Sequence, residues 1–317
     1  PCIQITDDKN GKMLIDGVPV TVLREQRNPM NIPWRQYGAD IVVDCSGSFK
    51  DPTVPADDNK GSIRGHLNGG AKLVIHSAPF KIKNKALSTP DDAVTLIYGI
   101  NHTVFNPKKH LLVSAASCTT TGLAHMVKPL LDNEETSTIL TASMSTIHAV
   151  TNTQSVLDKL PKEGEKDIRK TRSILNNIIL TSTGAAKALL EVIPEVKNIG
   201  FMGDSIRVPT NTLSLIVLNM TFQAKRHGKG EAANIDTKTL NDIYAKTAQV
   251  NPLVRFSMHQ NVSTDLIGED AAIIIEGQFN HTRTAFIPVD LSQIPNVPAD
   301  VLANIGEKTL QLPVVHA

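Results

Sequence analysis

Ser114-Ala115-Ala116-Ser117-Cys118-Thr119-Thr120-Thr121-Gly122 stands where the texture of the chain changes. Before it, short apolar, β-branched runs recur between turn signals at Asp40–Cys45, Lys72–Ile75, Val94–Ile97 and His110–Val113, the pattern of strands buried in a parallel sheet. Asn59–Leu67 has helical spacing and stops at Asn68-Gly69-Gly70, a helix C-terminal signal, so the first two runs frame a βαβ unit. After Cys118 a helix is predicted over Thr119–Leu131, then long strands at Ser137–Ala149, Asn211–Phe222, Ala271–Gln278 and Thr284–Val289. Further helices are predicted at Lys166–Asn176, Gly184–Val192, Thr237–Gln249 and Ala299–Leu310. The reading is a parallel α/β domain over residues 1–117, followed by an α+β domain with a mixed or antiparallel sheet over 118–317.

The composition supports two such domains. The chain has 317 residues, 41% hydrophobic and 20% charged, which excludes wholesale disorder and fibrous repeats. Lysine plus arginine number 32 against 31 acids, so the electrostatic support for a nucleic-acid or membrane-surface role is absent. No apolar run approaches bilayer length and Pro1-Cys2-Ile3-Gln4 lacks a signal pattern; the expectation is a soluble, cytoplasmic protein. Cys2, Cys45 and Cys118 cannot build a disulfide framework and none sits in a CxxC pair, so no metal site is expected.

Chemistry is expected where polar residues interrupt the second domain. A strand-to-helix junction puts the Cys118 sulfur beside unpaired helix amides, a setting that favours thiolate, although a lone cysteine is also commonly a small buried hydrophobe. His148, at a strand end, would complete a nucleophile and a general acid/base if the fold brings the two together; alone it reads equally as a core histidine. Thr181-Ser182-Thr183-Gly184-Ala185-Ala186-Lys187 offers hydroxyls and amides at a helix start to a phosphate, or simply caps the helix. Arg207, before Val208-Pro209-Thr210, sets a fork of donors at a strand entrance, suited to an anionic oxygen.

In this order, Ala115-Ala116-Ser117-Cys118-Thr119-Thr120, His148-Ala149-Val150-Thr151, Ser182-Thr183-Gly184-Ala185-Ala186-Lys187-Ala188 and Arg207-Val208-Pro209-Thr210 resemble the successive signatures of the glyceraldehyde-3-phosphate dehydrogenase family. Arg27-Asn28-Pro29, Ile32-Pro33-Trp34, Cys45-Ser46-Gly47, Ser77-Ala78-Pro79 and Gly99-Ile100-Asn101-His102 are similar to its cofactor-domain landmarks. The resemblance implies a Rossmann-like first domain, incomplete at its N-terminus, and a catalytic second domain. It implies a homotetramer using NAD or NADP that oxidises glyceraldehyde 3-phosphate to 1,3-bisphosphoglycerate with inorganic phosphate, through a thioester on Cys118. His148 would serve as acid/base. Thr151 and Arg207 would hold the substrate phosphate, and Ser117, Thr119, Thr183 and Gly184 the attacking phosphate. Arg169 would lie near both anions, and Arg27, Ser46, Gly47 and Ser77 would touch the cofactor. An erythrose-4-phosphate dehydrogenase and a catalytically silent binding paralogue stay open as alternatives.

The departures from the family pattern also carry expectations. Ala115, Thr121 and Gly122 stand where the family usually has other residues, and Asp290–Val314 is longer than its usual connection. Residues 1–317 contain neither a Gly-x-Gly-x-x-Gly turn nor a Trp-Tyr-Asp-Asn-Glu segment, so the resemblance implies either a piece of a longer chain or a paralogue without dinucleotide binding. A polypeptide of these residues alone is expected not to turn over.

Overall fold

The computed structural model describes residues 1–224, 226–227, 231–232, 235–296, 298–304 and 309–317. They form two compact units, one of Pro1–Leu96 with Val104–Ala116, the other of Ile97–Thr103 with Ser117–Ala317.

The first unit opens with β1 (Ile3–Asp7), β2 (Lys12–Ile15) and β3 (Val18–Thr21), a three-stranded antiparallel sheet with no counterpart in the sequence reading. β1 and β3 are mostly exposed and mix polar or proline residues with the apolar ones, and in β2 the half-buried run Met13-Leu14-Ile15 is only three residues long, a weak strand signal. The main sheet is parallel, built from β4 (Ile41–Asp44), β5 (Leu73–His76), β6 (Ala93–Thr95) and β7 (Leu112–Ser114) in the order β4-β5-β7-β6. Between β4 and β5 lies α1 (Gly65–Asn68), which completes the βαβ unit. The helix expected over Asn59–Leu67 is thereby cut to its last turn: Gly61 sits at φ 87°, and the Ser62 hydroxyl accepts from Arg64 N. Ile63, Val74 and Leu112 are fully buried in the core of this unit.

The second unit begins with α2 (Cys118–Asp132), which buries Leu123, Ala124, Val127 and Leu130. A six-stranded mixed sheet follows, built from β8 (Ile139–His148), β9 (Ile179–Ser182), β10 (Gly200–Arg207) and β11 (Leu215–Gln223), with two further strands near the C-terminus. Between β9 and β10 lies α3 (Ala185–Val192). The antiparallel pair β12 (Arg226–His227) and β13 (Glu231–Ala232) precedes α4 (Thr237–Val250), which Asp236 caps by accepting from Thr239 N. The parallel pair β14 (Val254–Ser257) and β15 (Ile273–Glu276) flanks the core. The large sheet ends with β16 (Arg283–Asp290) and β17 (Thr309–His316), giving the order β16-β17-β11-β8-β10-β9, with α5 (Ala299–Asn304) between the last two strands. Phe222, Leu130, Met144 and Leu189 are among its fully buried side chains.

Two further expected helices differ. Lys166–Asn176 forms only a short 3-10 turn, Ile168–Thr171, because the segment pairs back on 155–159. There Ile174 N donates to Ser155 O, Lys159 N to Thr171 O, and Ser173 N to the Asp158 carboxylate. Ala299–Leu310 is helical only to Asn304; Leu310 lies on β17, and 305–308 fall outside the described residues. The strand expected from Asn211 starts at Leu215, after Leu213 at φ 63°.

Candidate active site

Cys118 is the first residue of α2 and is exposed. Its helix is started by Ser117, extended at φ −123° and ψ 160°, whose Oγ accepts from Thr120 N at 3.1 Å and lies 2.7 Å from Thr120 Oγ1. Ala116, just before, is a non-glycine residue at φ 58°, a left-handed conformation that marks an over-determined backbone. Thr119 is buried, with its hydroxyl 3.9 Å from the Cys118 sulfur.

His148 closes β8 and brings Nε2 to 3.5 Å from Cys118 Sγ. The parallel pairing of β10 with β8 sets Arg207 opposite His148 in register. Arg207 Nη1 donates to the Ala149 carbonyl at 2.9 Å and contacts His148 Nδ1, which itself lies 2.8 Å from the Ala149 carbonyl. A guanidinium only donates, so its contact with Nδ1 favours the tautomer whose proton is on Nε2, whereas the carbonyl favours a proton on Nδ1. Half-burial pushes the His148 pKa down; the Ala149 carbonyl opposes this and the Arg207 charge reinforces it, leaving the ring below its usual range. Burial likewise pulls the Arg207 pKa down, and its Nε is buried without a partner among the described residues.

The structure therefore brings together Cys118, Thr119, His148 and Arg207. No third residue to orient His148 was legible in the sequence; Arg207 comes from a parallel strand far along the chain, and no local signal marks that pairing. Thr183 and Gly184 open α3, where the Thr183 hydroxyl accepts from Ala185 N at 3.2 Å and Gly184 occupies the cap position without a side-chain bond. Thr151 is exposed and donates its hydroxyl to Gln154 Oε1. Arg169 is exposed and paired with Asp167 at 2.7 Å, with no contact to the Cys118 cluster. Among the described residues, no group of three or more His, Cys, Asp or Glu is arranged to hold a metal ion.

In the first unit, Ser46, Gly47 and Ser77 are exposed at the carboxyl ends of parallel strands β4 and β5, the edge where open α/β sheets bind ligands. Gly47 sits at φ 64°, and a Cβ there would meet nothing nearer than Lys50 Cε at 3.9 Å, so this turn is open to a ligand. Arg27 is exposed ahead of the Pro29–Asn31 turn. These groups suit the polar periphery of a nicotinamide dinucleotide. The only α-helix described in this unit, α1, has four residues and no side-chain cap, so no described junction seats a pyrophosphate.

The profile described as the NAD binding domain of glyceraldehyde 3-phosphate dehydrogenase matches residues 3–52. With the Rossmann-like parallel sheet, it places the chain among the NAD-dependent dehydrogenases, with the choice between NAD and NADP left open. The profile described as the C-terminal domain of the same enzyme matches residues 117–288. Glyceraldehyde-3-phosphate dehydrogenase of Lactarius deterrimus is 38% identical over 84% of this chain and 81% of its own length. The protein of that name from Chlamydia pneumoniae is 36% identical over 83% of this chain and 69% of its own. The chain belongs to the glyceraldehyde-3-phosphate dehydrogenase family. No helix among the described residues is long and apolar enough to cross a membrane.

Proposed function

We propose that the protein carries out the phosphorylating oxidation of glyceraldehyde 3-phosphate to 1,3-bisphosphoglycerate, with residues 118–317 as the catalytic part and 1–117 as the NAD(P)-binding part. The observation that carries this reading is the Cys118 sulfur at a helix start, 3.5 Å from His148 Nε2, in a chain of this family. Cys118 Sγ attacks the aldehyde carbon and forms a hemithioacetal, with the developing oxyanion turned toward His148 and the helix amides. Bound nicotinamide supplies the hydride acceptor. His148, kept neutral by burial and by Arg207, takes the hydroxyl proton as the carbon is oxidised to the thioester level. Phosphate oxygen then attacks the thioester carbon, and the Cys118 sulfur departs.

Thr151 and Arg207 hold the substrate phosphate ester in this reading, and Ser117, Thr119, Thr183 and Gly184 serve the attacking phosphate, with Arg169 nearby. Arg27, Ser46, Gly47 and Ser77 border the cofactor. A cytoplasmic homotetramer is part of the same proposal. Its self-association is supported by an exposed apolar face of the large sheet, where Met202, Leu215 and Val217 stand open.

The test is made on the full-length protein, with glyceraldehyde 3-phosphate and either nicotinamide dinucleotide, with and without phosphate. Reduced cofactor accumulating continuously only when phosphate is present is the expected result. Sustained turnover without phosphate would overturn the phosphorylating assignment.

A further inference from the structure

Beneath the Ser46–Gly47 turn lies a buried polar cluster that the reaction does not use. Asp44, the last residue of β4, is 5% exposed, and His76, its register partner at the end of β5, is fully buried. Asp44 Oδ1 accepts from Ser46 N at 2.8 Å, closing a turn two residues long, and the Asp44 carbonyl accepts from Ser77 N at 3.0 Å. Its other carboxylate oxygen faces His76 Nδ1 at 3.4 Å and His66 Nε2 at 4.0 Å. The His66 ring is fixed from behind, where its Nδ1 accepts from Trp34 Nε1 at 3.1 Å, and His76 stacks on Phe80.

A carboxylate enclosed this way is costly unless it is paired and hydrogen-bonded, as Asp44 is by Ser46 N and the facing His76 ring. Burial raises its pKa, yet the His76 imidazole and the Ser46 hydrogen bonds outweigh burial and hold it down at about 2. One residue thus ties two neighbouring turns at the ligand-binding edge of this sheet, through its side chain to Ser46 and through its backbone to Ser77. Asp44 itself is too deep to touch a ligand.

We infer that Asp44 is a positioning residue for the dinucleotide: its hydrogen bond to Ser46 N, backed by His76 and His66, sets the Ser46–Gly47 turn in its binding conformation. This rests on the proposed reading of Ser46, Gly47 and Ser77 as cofactor residues.

The experiment compares Asp44→Ala with Asp44→Asn in the full-length protein, measuring NAD and NADP dissociation constants, kcat at saturating cofactor and KM for glyceraldehyde 3-phosphate. Asn retains the acceptor for Ser46 N and Ala does not. Asp44→Ala is expected to weaken dinucleotide binding by about tenfold, the worth of one hydrogen bond, with kcat and the aldehyde KM within about threefold. Asp44→Asn is expected to restore affinity to within about threefold of the parent. Equal affinity in all three proteins, or loss of kcat, KM and affinity together in both variants, overturns the role.

Gly47→Val separates the two readings. Weakened binding there with unchanged binding in Asp44→Ala overturns the positioning role alone, whereas unchanged binding in Gly47→Val removes the loop from the cofactor site and the inference with it. Should Asp44→Ala not fold, amide exchange in the parent decides: protection of the Ser46 amide without cofactor supports the role, and exchange at the free-peptide rate overturns it.

Discussion

At the carboxyl end of β8, His148 is held by Arg207 from another strand, 59 residues further on. At the carboxyl end of β4, Asp44 holds the Ser46 amide two residues away. Both are strand ends with a half-buried or buried titratable group, but the first is assembled across the sheet and the second within one turn. Cross-strand assembly lets reactive groups of different elements meet, and it fails if any one strand shifts. Local assembly fixes a loop with little dependence on the rest of the sheet, which suits a surface that must wait for a ligand.

The comparison can be broken most sharply at Cys118. Cys118→Ser in the full-length protein is expected to lower kcat by at least about 1,000-fold, because the hydroxyl is a poor nucleophile without a strong base, while thermal stability stays near the parent. Cys2, Cys45 and Cys118 are all exposed, so exposure alone predicts equal alkylation. Iodoacetate at neutral pH is expected to label Cys118 well ahead of the other two, as read by peptide mass mapping; equal labelling would return Cys118 to an ordinary surface thiol.

Next comes His148→Asn, which removes the proposed proton acceptor but leaves β8 paired. A fall of about 100- to 10,000-fold in the hydride-transfer rate is expected in single-turnover measurements, with substrate affinity nearly retained. A change of only a few-fold would make the His148–Arg207 contact a packing feature and dissolve the contrast between the two strand ends.

The contrast also explains what could be read in the sequence. The four parallel strands of the first unit, α2, α3 and α4 were legible because apolar runs and caps are local signals. Cys118 at a helix start was legible for the same reason, through Ser117 before it. What escaped was whatever depends on partners distant in sequence: β10, which pairs beside β8 and its His148, β9 on the far side of β10, and the first three strands, which are short and only partly covered. Lys166–Asn176 misled because its helical spacing is real, but Asp158 and Ser155 offer its backbone bonds that a helix would forgo. Asp44 was passed over as a strand residue, since nothing in one strand tells that His76 will lie opposite it.

A smaller effect separates the buried imidazoles from Asp44. Burial pushes His66, His125 and His148 below the ordinary histidine value of 6.5, so each is neutral in the folded protein where the unfolded chain would begin to bind a proton. The stability they contribute is fully present above pH 6.5 and is lost as pH falls toward their folded values. Asp44 acts in another window: its contribution persists down to the unfolded value of 3.8 and is lost only as pH falls toward about 2. A thermal melt series is therefore expected to show Tm declining from about pH 6.5 to 5, where Asp44 still contributes fully. Replacing His125, 1% exposed, by Gln should flatten that slope; an unchanged slope would mean that these rings do not govern it.

The smallest expected effect tests whether the Cys118 end also relies on a local turn. Ser117 Oγ accepts from Thr120 N at 3.1 Å and lies 2.7 Å from Thr120 Oγ1, so its hydroxyl is engaged in starting α2 before any phosphate arrives. Ser117→Ala should remove a cap worth about 1 kcal/mol, seen as a Tm lower by about 2–4 °C for a domain of this size. Ser117→Asp should keep the cap and recover the Tm, while adding negative charge where the attacking phosphate is proposed to sit. If the hydroxyl serves the helix alone, the KM for phosphate stays near the parent in Ser117→Ala; if it also serves the phosphate, that KM rises in both variants, and more in Ser117→Asp. A Tm unmoved by Ser117→Ala would show that cross-strand contacts alone hold the Cys118 end, which would make the difference between the two strand ends as sharp as it can be.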